Sequence, residues 1–462
     1  MKRWILSILC SLLVLCLVSP STTAGNLEGL LDNWEDGKEK DILGHTFDEE
    51  AWTASPVHTT NDYGDNISYS VSYLNYQNVQ AFLVALNKIE NENGTGVLPY
   101  QMFGMHYYTP NNREIFIGAL LAFFMVYDDK NGDGIPNKDE NKSFVIPFGV
   151  DKAVNGTYPP EVDAIKITKK GEGHWQFGMH YKNMYALVTN NPLLSLKLQT
   201  GFIAKFSELI ITYDVKFNDE TNEVTAETFY TIGQVEKYRG FLLGWPGPEK
   251  ERADIPATLG ISAVHFVTIF ASKYKVSGND TGNTVSAGIA DEDVVIGVDD
   301  DNHRAFKIGF RGDFDLKDED TGNTITSDED AINILLQARI VDLGLVAWQL
   351  AFSGALFSIF AYALSDDIQS KYTSPRDLAT KSLRPINPEG FGVHALWYAV
   401  CFPSWQGYRV EHDPQYTAYV TFHPAIMSED EDEKSTPGFE VVIMVAGIGL
   451  IALITRKNRF KR

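Results

Sequence analysis

Between Leu209 and Phe217 every second side chain is large and apolar, and Ile210, Thr212, Asp214 and Lys216 stand between them. After the turn Asn218-Asp219-Glu220-Thr221-Asn222 a second alternating run returns from Val224 to Ile232, which reads as a hairpin. Ile67, Tyr69, Val71 and Tyr73 alternate with serines, Phe306 to Leu316 alternates with charges, and Tyr416, Ala418, Val420 and Phe422 close the series. A period of two with one wet face is the signature of antiparallel sheets. Hydrophobic residues make up 44% of the 462-residue chain, enough to bury large cores and to exclude wholesale disorder.

Helices are expected in two places. Val79, Phe82, Leu83, Leu86 and Ile89 form a stripe at helical spacing, and a second stripe of Ile332, Leu335, Leu336 and Ile340 follows Ser327, with Asp330 in a partial capping box. Leu343 to Leu364 carries no formal charge, and glycine, serine and Gln349 dilute it, so it reads as buried core.

The two ends carry targeting patterns. Residues 1–24 combine Lys2 and Arg3, an apolar run from Trp4 to Val18, and small residues up to Ala24, the parts of a signal peptide. Near the other end an acidic linker, 428–440, leads into an uncharged run, 441–455, and a basic tail, 456–462. That order predicts a membrane helix with the tail inside and the rest of the chain outside. Pro437-Gly438-Phe439-Glu440, with the short apolar run and basic tail after it, resembles the PGF-type C-terminal sorting signals of archaeal surface proteins. The resemblance covers about the last thirty residues and implies processing by an archaeosortase. The expected fold is therefore mainly β with some helices, an α+β chain. Its antiparallel sheets form a β-sandwich-like ectodomain, followed by a C-terminal transmembrane helix.

The gap between the ends divides at a turn-rich segment beginning Gly244-Trp245-Pro246-Gly247-Pro248. This predicts one β-rich domain over 25–245 and a second over 256–427. Two short repeats fall on opposite sides of it. Phe103-Gly104-Met105-His106-Tyr107 recurs as Phe177-Gly178-Met179-His180-Tyr181, and Asp280-Thr281-Gly282-Asn283-Thr284 recurs as Asp320-Thr321-Gly322-Asn323-Thr324, the second pair reading as loops.

Charge limits the partners. The chain holds 39 Lys and Arg against 61 Asp and Glu, a net of −22. Segments 1–24 and 441–462 hold seven basic residues and no acids, so the part between them carries 32 cations against 61 acids, a net of −29. Nucleic acid is excluded as a partner, because phosphate neutralisation needs a basic face. Cys401 alone remains after signal removal, so a disulfide within the mature chain is ruled out. An exported chain of this size then relies on packing, ions or glycans. Sequons at Asn66, Asn93, Asn141, Asn155 and Asn279 supply glycan acceptors.

One motif has a specific spacing. Asp129, Asn131, Asp133, Asn137 and Glu140 place side-chain oxygens at positions 1, 3, 5, 9 and 12 of a twelve-residue loop; Gly134 stands at position 6, and the Ile135 carbonyl at 7. A hard cation takes six to eight oxygens, and alternate residues of a tight loop provide them, so calcium is the expected cofactor. With Ile135-Pro136 following the glycine, the loop resembles those of thrombospondin type 3 and dockerin modules. His106, His174 and His180 form a second candidate metal set. No His-Glu-x-x-His, Cys-x-x-Cys, nucleophile elbow or phosphate loop accompanies them, and they read better as strand histidines. Asp299 to Asp301 and Asp366-Asp367 read as solvated turns, so no catalytic residue is assigned.

Together these features predict a calcium-stabilised, glycosylated cell-surface protein of structural, adhesive or surface-layer type, in contact with the membrane and with other surface proteins or an extracellular ligand. The alternatives are a surface-anchored saccharide- or peptide-binding protein, with Trp175, Trp245, Trp348, Trp397 and Trp405 as candidate platforms, and a secreted hydrolase.

Overall fold

The computed structural model describes residues 51–422, apart from 61–65, 78, 92–93, 98–100, 111–113, 138, 151–160, 190–200, 243–244, 272–274, 277–287, 290–293, 298–303, 311, 328–331 and 338–391. The targeting segments, the run Leu343 to Leu364, the acidic runs 299–301 and 366–367 and the sequons at Asn93, Asn155 and Asn279 lie outside the described residues. Among the described residues no helix is long and apolar enough to cross a membrane.

The chain forms strands β1 (Ala51–Thr60), β2 (Asn66–Tyr76), β3 (Val79–Asn91), β4 (Gly94–Val97), β5 (Gln101–Tyr108), β6 (Glu114–Asp128), β7 (Lys142–Val150) and β8 (Glu161–Gly171). It continues through β9 (His174–Thr189), β10 (Gly201–Asn218), β11 (Glu223–Ile232), β12 (Val235–Leu242), β13 (Trp245–Glu251), β14 (Leu259–Ala271), β15 (Lys275–Val276) and β16 (Gly288–Ile289). The last eight are β17 (Val294–Gly297), β18 (Arg304–Gly309), β19 (Phe314–Asp318), β20 (Asn323–Thr326), β21 (Asn333–Gln337), β22 (Gly392–Phe402), β23 (Arg409–His412) and β24 (Gln415–Tyr419). One 3-10 turn, Arg252–Asp254, is the single helical piece among the described residues.

Antiparallel pairing links the strands into one connected sheet. One run of neighbours is β1-β2-β3-β5-β6-β14-β22-β21. A second is β8-β9-β10-β11, and β7 joins the two by pairing with both β6 and β9. The two runs face each other across one apolar core. Phe103 of β5 stacks on Tyr213 of β10 with ring centroids 4.5 Å apart, and both belong to a single buried cluster that also holds Val126, Ile261 and Val400. The arrangement is compatible with a β-sandwich.

The expected hairpin from Leu209 is present, in the register Leu209↔Ile232 through Asn218↔Glu223. The first expected helix is strand β3 instead, and of the second, residues 333–337 form strand β21 while Ile340 lies outside the described residues. Val79, Ala81, Leu83 and Ala85 on one face of β3 and Phe82 and Val84 on the other are all buried. A strand covered on both faces is apolar at nearly every position, so it satisfies a helical stripe and a strand equally well. The pairing of β3 with β2 and β5 decides between them. Leu335 and Leu336 likewise pair with Ala399 and Tyr398 of β22. The serine face of β2 is also covered: Ser68, Ser70 and Ser72 are as buried as Val71.

Residues on both sides of the expected domain boundary share the sheet. β6 pairs with β14 from Asp128↔Leu259 to Phe116↔Phe270, and β11 pairs with β23 and β24. The breaker-rich segment is the outer arm of the β12–β13 hairpin and the turn after it. Glycine and proline mark any chain reversal, whether or not a core ends there.

The repeat at Phe103 and Phe177 occupies equivalent positions in two central strands. Phe103, Met105 and Tyr107, like Phe177, Met179 and Tyr181, point into the core. Gly178 allows β10 to approach: a Cβ there would lie 2.2 Å from the Ile211 carbonyl oxygen.

Candidate functional site

The twelve-residue loop closes the β6–β7 hairpin, where Tyr127 pairs with Lys142. Its setting is strand–loop–strand. Gly132 and Gly134 both take φ of +74°, the left-handed region that a side chain disfavours. The loop's oxygens turn inward on its own amides. Asp129 accepts from the Gly132 and Gly134 amides (3.0 and 3.1 Å), and Asn131 Oδ1 accepts from the Asp133 amide (3.1 Å). Asp133 Oδ1 accepts from the Ile135 amide at 3.1 Å, and Glu140 reaches back to the amides of Lys130 and Asn137 at 3.0 and 2.9 Å.

Positions 3, 5 and 9 converge. The side-chain amides of Asn131 and Asn137 both donate to Asp133 Oδ2, at 2.8 and 2.5 Å. Desolvation, the first influence on Asp133, pushes its carboxyl up, but the hydrogen bonds from Asn137, the Ile135 amide and Asn131 outweigh it and hold the group below its ordinary range. A half-turn of an amide exchanges its nitrogen for its oxygen. With Asn137 so turned, Asp133 and Asn137 present oxygens to a cation, whereas turning Asn131 gives up the hydrogen bond its Oδ1 accepts from the Asp133 amide. Among the described residues no group of three or more His, Cys, Asp and Glu side chains gathers to hold a metal. The loop's donor set is of another kind, because half of its six positions are amide or main-chain oxygens, as hard cations accept.

Three contacts that the linear motif does not reveal tie the loop to the body. Tyr127, fully buried, donates from its hydroxyl to the Gly134 carbonyl at 2.8 Å. The Asp129 amide donates to the Thr258 carbonyl at 2.9 Å, and Lys142 Nζ donates to the Asn137 carbonyl. Burial, and then the charges of Asp129, Glu140 and Asp133 among others, raise the Tyr127 phenol so that it stays a donor.

The three histidines of the second metal set do not meet. His106 Nε2 donates to Glu114 at 2.9 Å while its ring stacks on Phe116. His180 Nε2 donates to Glu208 at 2.7 Å, and His174 pairs with Asp214. Each has its own carboxylate. An open cleft of about 480 Å³ lies beside His174, bordered by Tyr76, Lys216, Phe217 and Asp219. Its Asp219 is engaged by Tyr76 and Gln77, and Glu172 and Glu220 also border the cleft.

Of the tryptophans proposed as platforms, Trp175 and Trp405 are core residues, while Trp245 is 79% exposed. Trp348 lies outside the described residues, as does the side chain of Trp397. Asn141 is exposed directly after the loop, and Asn66 opens β2.

A polar cluster that sequence reasoning missed lies inside the core. Tyr230 lies opposite His412 in the β11–β23 pair, with their rings 5.4 Å apart, and the His265 ring is 6.2 Å from Tyr230. His412 Nδ1 donates to the Asp313 carbonyl. Burial lowers His265 to about 3 and His412 to about 4, so both rings are neutral. Nothing in an alternating strand pattern distinguishes a histidine on the inner face.

No family model matches the chain. No curated protein matches it. A solved structure described as "PPLO at 1.23 Angstroms" aligns over 85% of this chain and 72% of that one, at 9% identity and a TM-score of 0.17. A score so low bears on neither fold nor function.

Proposed function

We propose that this chain is an exported, membrane-anchored surface protein of structural or adhesive type, whose β-rich body is stabilised by calcium in the 129–140 loop and carries glycans. The observation that carries the reading is the loop itself. Oxygen-bearing residues at the calcium spacing converge on Asp133, at the end of a long core strand, and are bolted to the core by Tyr127 and Thr258. The loop joins two paired strands at the end of a hairpin, which suits a role in stability.

The polarity of the body agrees with tethering. The last described residues leave beside Tyr108, whose carbonyl accepts the Thr421 amide, and Tyr108 pairs with Glu114 at the start of β6. The loop stands at the other end of that 15-residue strand, roughly 45 Å away at ~3.3 Å per residue. An anchor following residue 422 would thus leave the calcium loop at the outer pole. The saccharide-binding alternative expects a cleft walled by exposed tryptophans, and two of the described tryptophans are instead buried.

Protease added to intact cells tests the reading. It should remove the body while a C-terminal stub stays with the membrane, and complete protection would overturn the topology. Mass spectrometry of the mature protein reads processing: absence of peptides from 441 onward supports sortase-type cleavage, and their recovery supports a plain membrane helix.

A further inference from the structure

Lysines 130, 138 and 142 stand among the carboxylates of Asp129, Asp133, Asp139 and Glu140. Lys138 lies outside the described residues. The other two are held differently. Lys130 turns to Asp128, 3.4 Å away and outside the six candidate ligands, and its side chain is 57% exposed. Lys142 opens β7 opposite Tyr127, and its Nζ donates to the Asn137 carbonyl. That carbonyl also accepts the Glu140 amide at 3.2 Å, and the Asn137 amide donates in return to Glu140 Oε2 at 2.9 Å. The Lys142 ammonium is thus fastened to the turn that carries positions 9 and 12 of the loop, and the charges of Glu140 and Asp139 act on it.

We propose that Lys142 is a tethered counter-charge of this loop, which holds the Asn137–Glu140 turn when the loop is empty and weakens its affinity for calcium. The proposal rests on the calcium reading above. Only what differs between the loaded and the empty loop changes affinity. The hydrogen bond from Lys142 to the Asn137 carbonyl is made to the main chain and is available in both states, so it largely cancels. Repulsion between the ammonium and a divalent cation exists only in the loaded state, and the Asn137–Glu140 turn brings it beside two of the six ligands. Ligand charge and site rigidity set the affinity of such loops, and one ammonium offsets part of the charge of Asp129, Asp133 and Glu140. A weakened loop suits the outside of a cell, where modules of this kind work at ~10⁻⁴–10⁻³ M calcium.

Lys130 supplies the contrast. It carries the same charge one residue from Asp129, but its head points away to Asp128 and stands mostly in water, which screens it. A lysine that merely braced the hairpin would add stability and leave calcium affinity unchanged, or lower it when removed. A tethered counter-charge moves the two quantities in opposite directions: its removal loosens the empty loop and tightens the grip on the ion.

The test is calorimetric titration of calcium chloride into the purified, chelator-stripped full-length chain, with melting in chelator measured alongside. Lys142→Met should bind calcium about threefold or more tightly than the parent, while its melting temperature in chelator falls. Lys142→Gln, a second neutral side chain, should do the same. Lys142→Arg keeps the charge and should bind as the parent does, and Lys130→Met should gain less than Lys142→Met. Unchanged or weaker binding in both neutral variants, or an equal gain in Lys130→Met, overturns the proposal and leaves the calcium reading standing. A parent chain that takes up no calcium removes the reading and the proposal together.

Discussion

The hydroxyl of Tyr127 donates a 2.8 Å hydrogen bond to the carbonyl of Gly134, so a fully buried core side chain holds the sixth position of the 129–140 loop. The loop's order and the packing of β6 are thereby one property. An ion bound by the loop would stabilise the body, and a change in the core would be felt at the loop.

Chelation is expected to lower the melting temperature of the purified full-length chain. An ion binding only the folded state adds RT ln(1 + [L]/Kd), about 2.7 kcal/mol at a hundredfold excess over Kd. Asp133→Ala and Glu140→Ala should each lower stability and blunt the calcium response, and magnesium should substitute poorly because it resists dehydration. Asp163→Asn, which loses an exposed pair with Lys182, should keep the full response. Equal melting in calcium and in chelator would remove the site.

Tyr127→Phe removes the donor and leaves the Gly134 carbonyl without it, at a cost of about 1–3 kcal/mol. Urea unfolding should show that cost in calcium and a smaller one in chelator. The same loss under both conditions would mean that the loop and the core are uncoupled.

Stability should fall on acidification below about pH 6.5, the ordinary histidine value. His265 and His412 are neutral in the fold, at about 3 and about 4. The unfolded chain therefore binds their protons first, and each group costs up to ~1.4 kcal/mol per pH unit until its folded value is passed. Asp413 acts in the opposite sense. Burial, Asp313 and Glu227 raise it to about 6, so the folded state takes up its proton before the unfolded state does, which offsets part of the loss between about pH 6 and 4. Denaturation series from pH 8 to 4 should show a shallower decline for His412→Leu and a steeper one for Asp413→Asn. A flat profile in the parent protein would contradict the burial of both histidines.

Gly178→Ala should destabilise more than Gly104→Ala. A methyl at 178 meets the Ile211 carbonyl and the Thr212 Cα, main-chain atoms of the paired strand, whereas at 104 it meets the end of the Phe82 ring. A ring rotates aside and a backbone does not, so about 1–3 kcal/mol is expected at 104 and more at 178. Equal losses would mean that β9 and β10 can separate locally.

The histidines should not hold a metal together. His174→Gln and His180→Gln should leave the bound-metal content of the purified protein unchanged, because Asp214 and Glu208 occupy them separately. Loss of bound metal in either variant would reopen that reading.

Local pattern alone determined which residues of the 209–232 hairpin face inward, because a strand's side chains alternate and a half-buried strand records that alternation in its polarity. It also determined the loop's spacing and the glycine that takes positive φ at position 6. It misread β3 as a helix for a physical reason: once both faces of a strand are covered, alternation disappears and the remaining apolar run fits either period. Tertiary structure alone decided that Val126 of β6 lies beside Ile261 of β14 and that Thr258 caps the calcium-type loop. It also set one carboxylate against each repeat histidine and carried Phe202, Leu242 and Trp245 beyond the edge of the core. Strand pairing joins residues more than a hundred positions apart, and the periodicity of either partner says which face it buries and nothing about which strand will lie beside it.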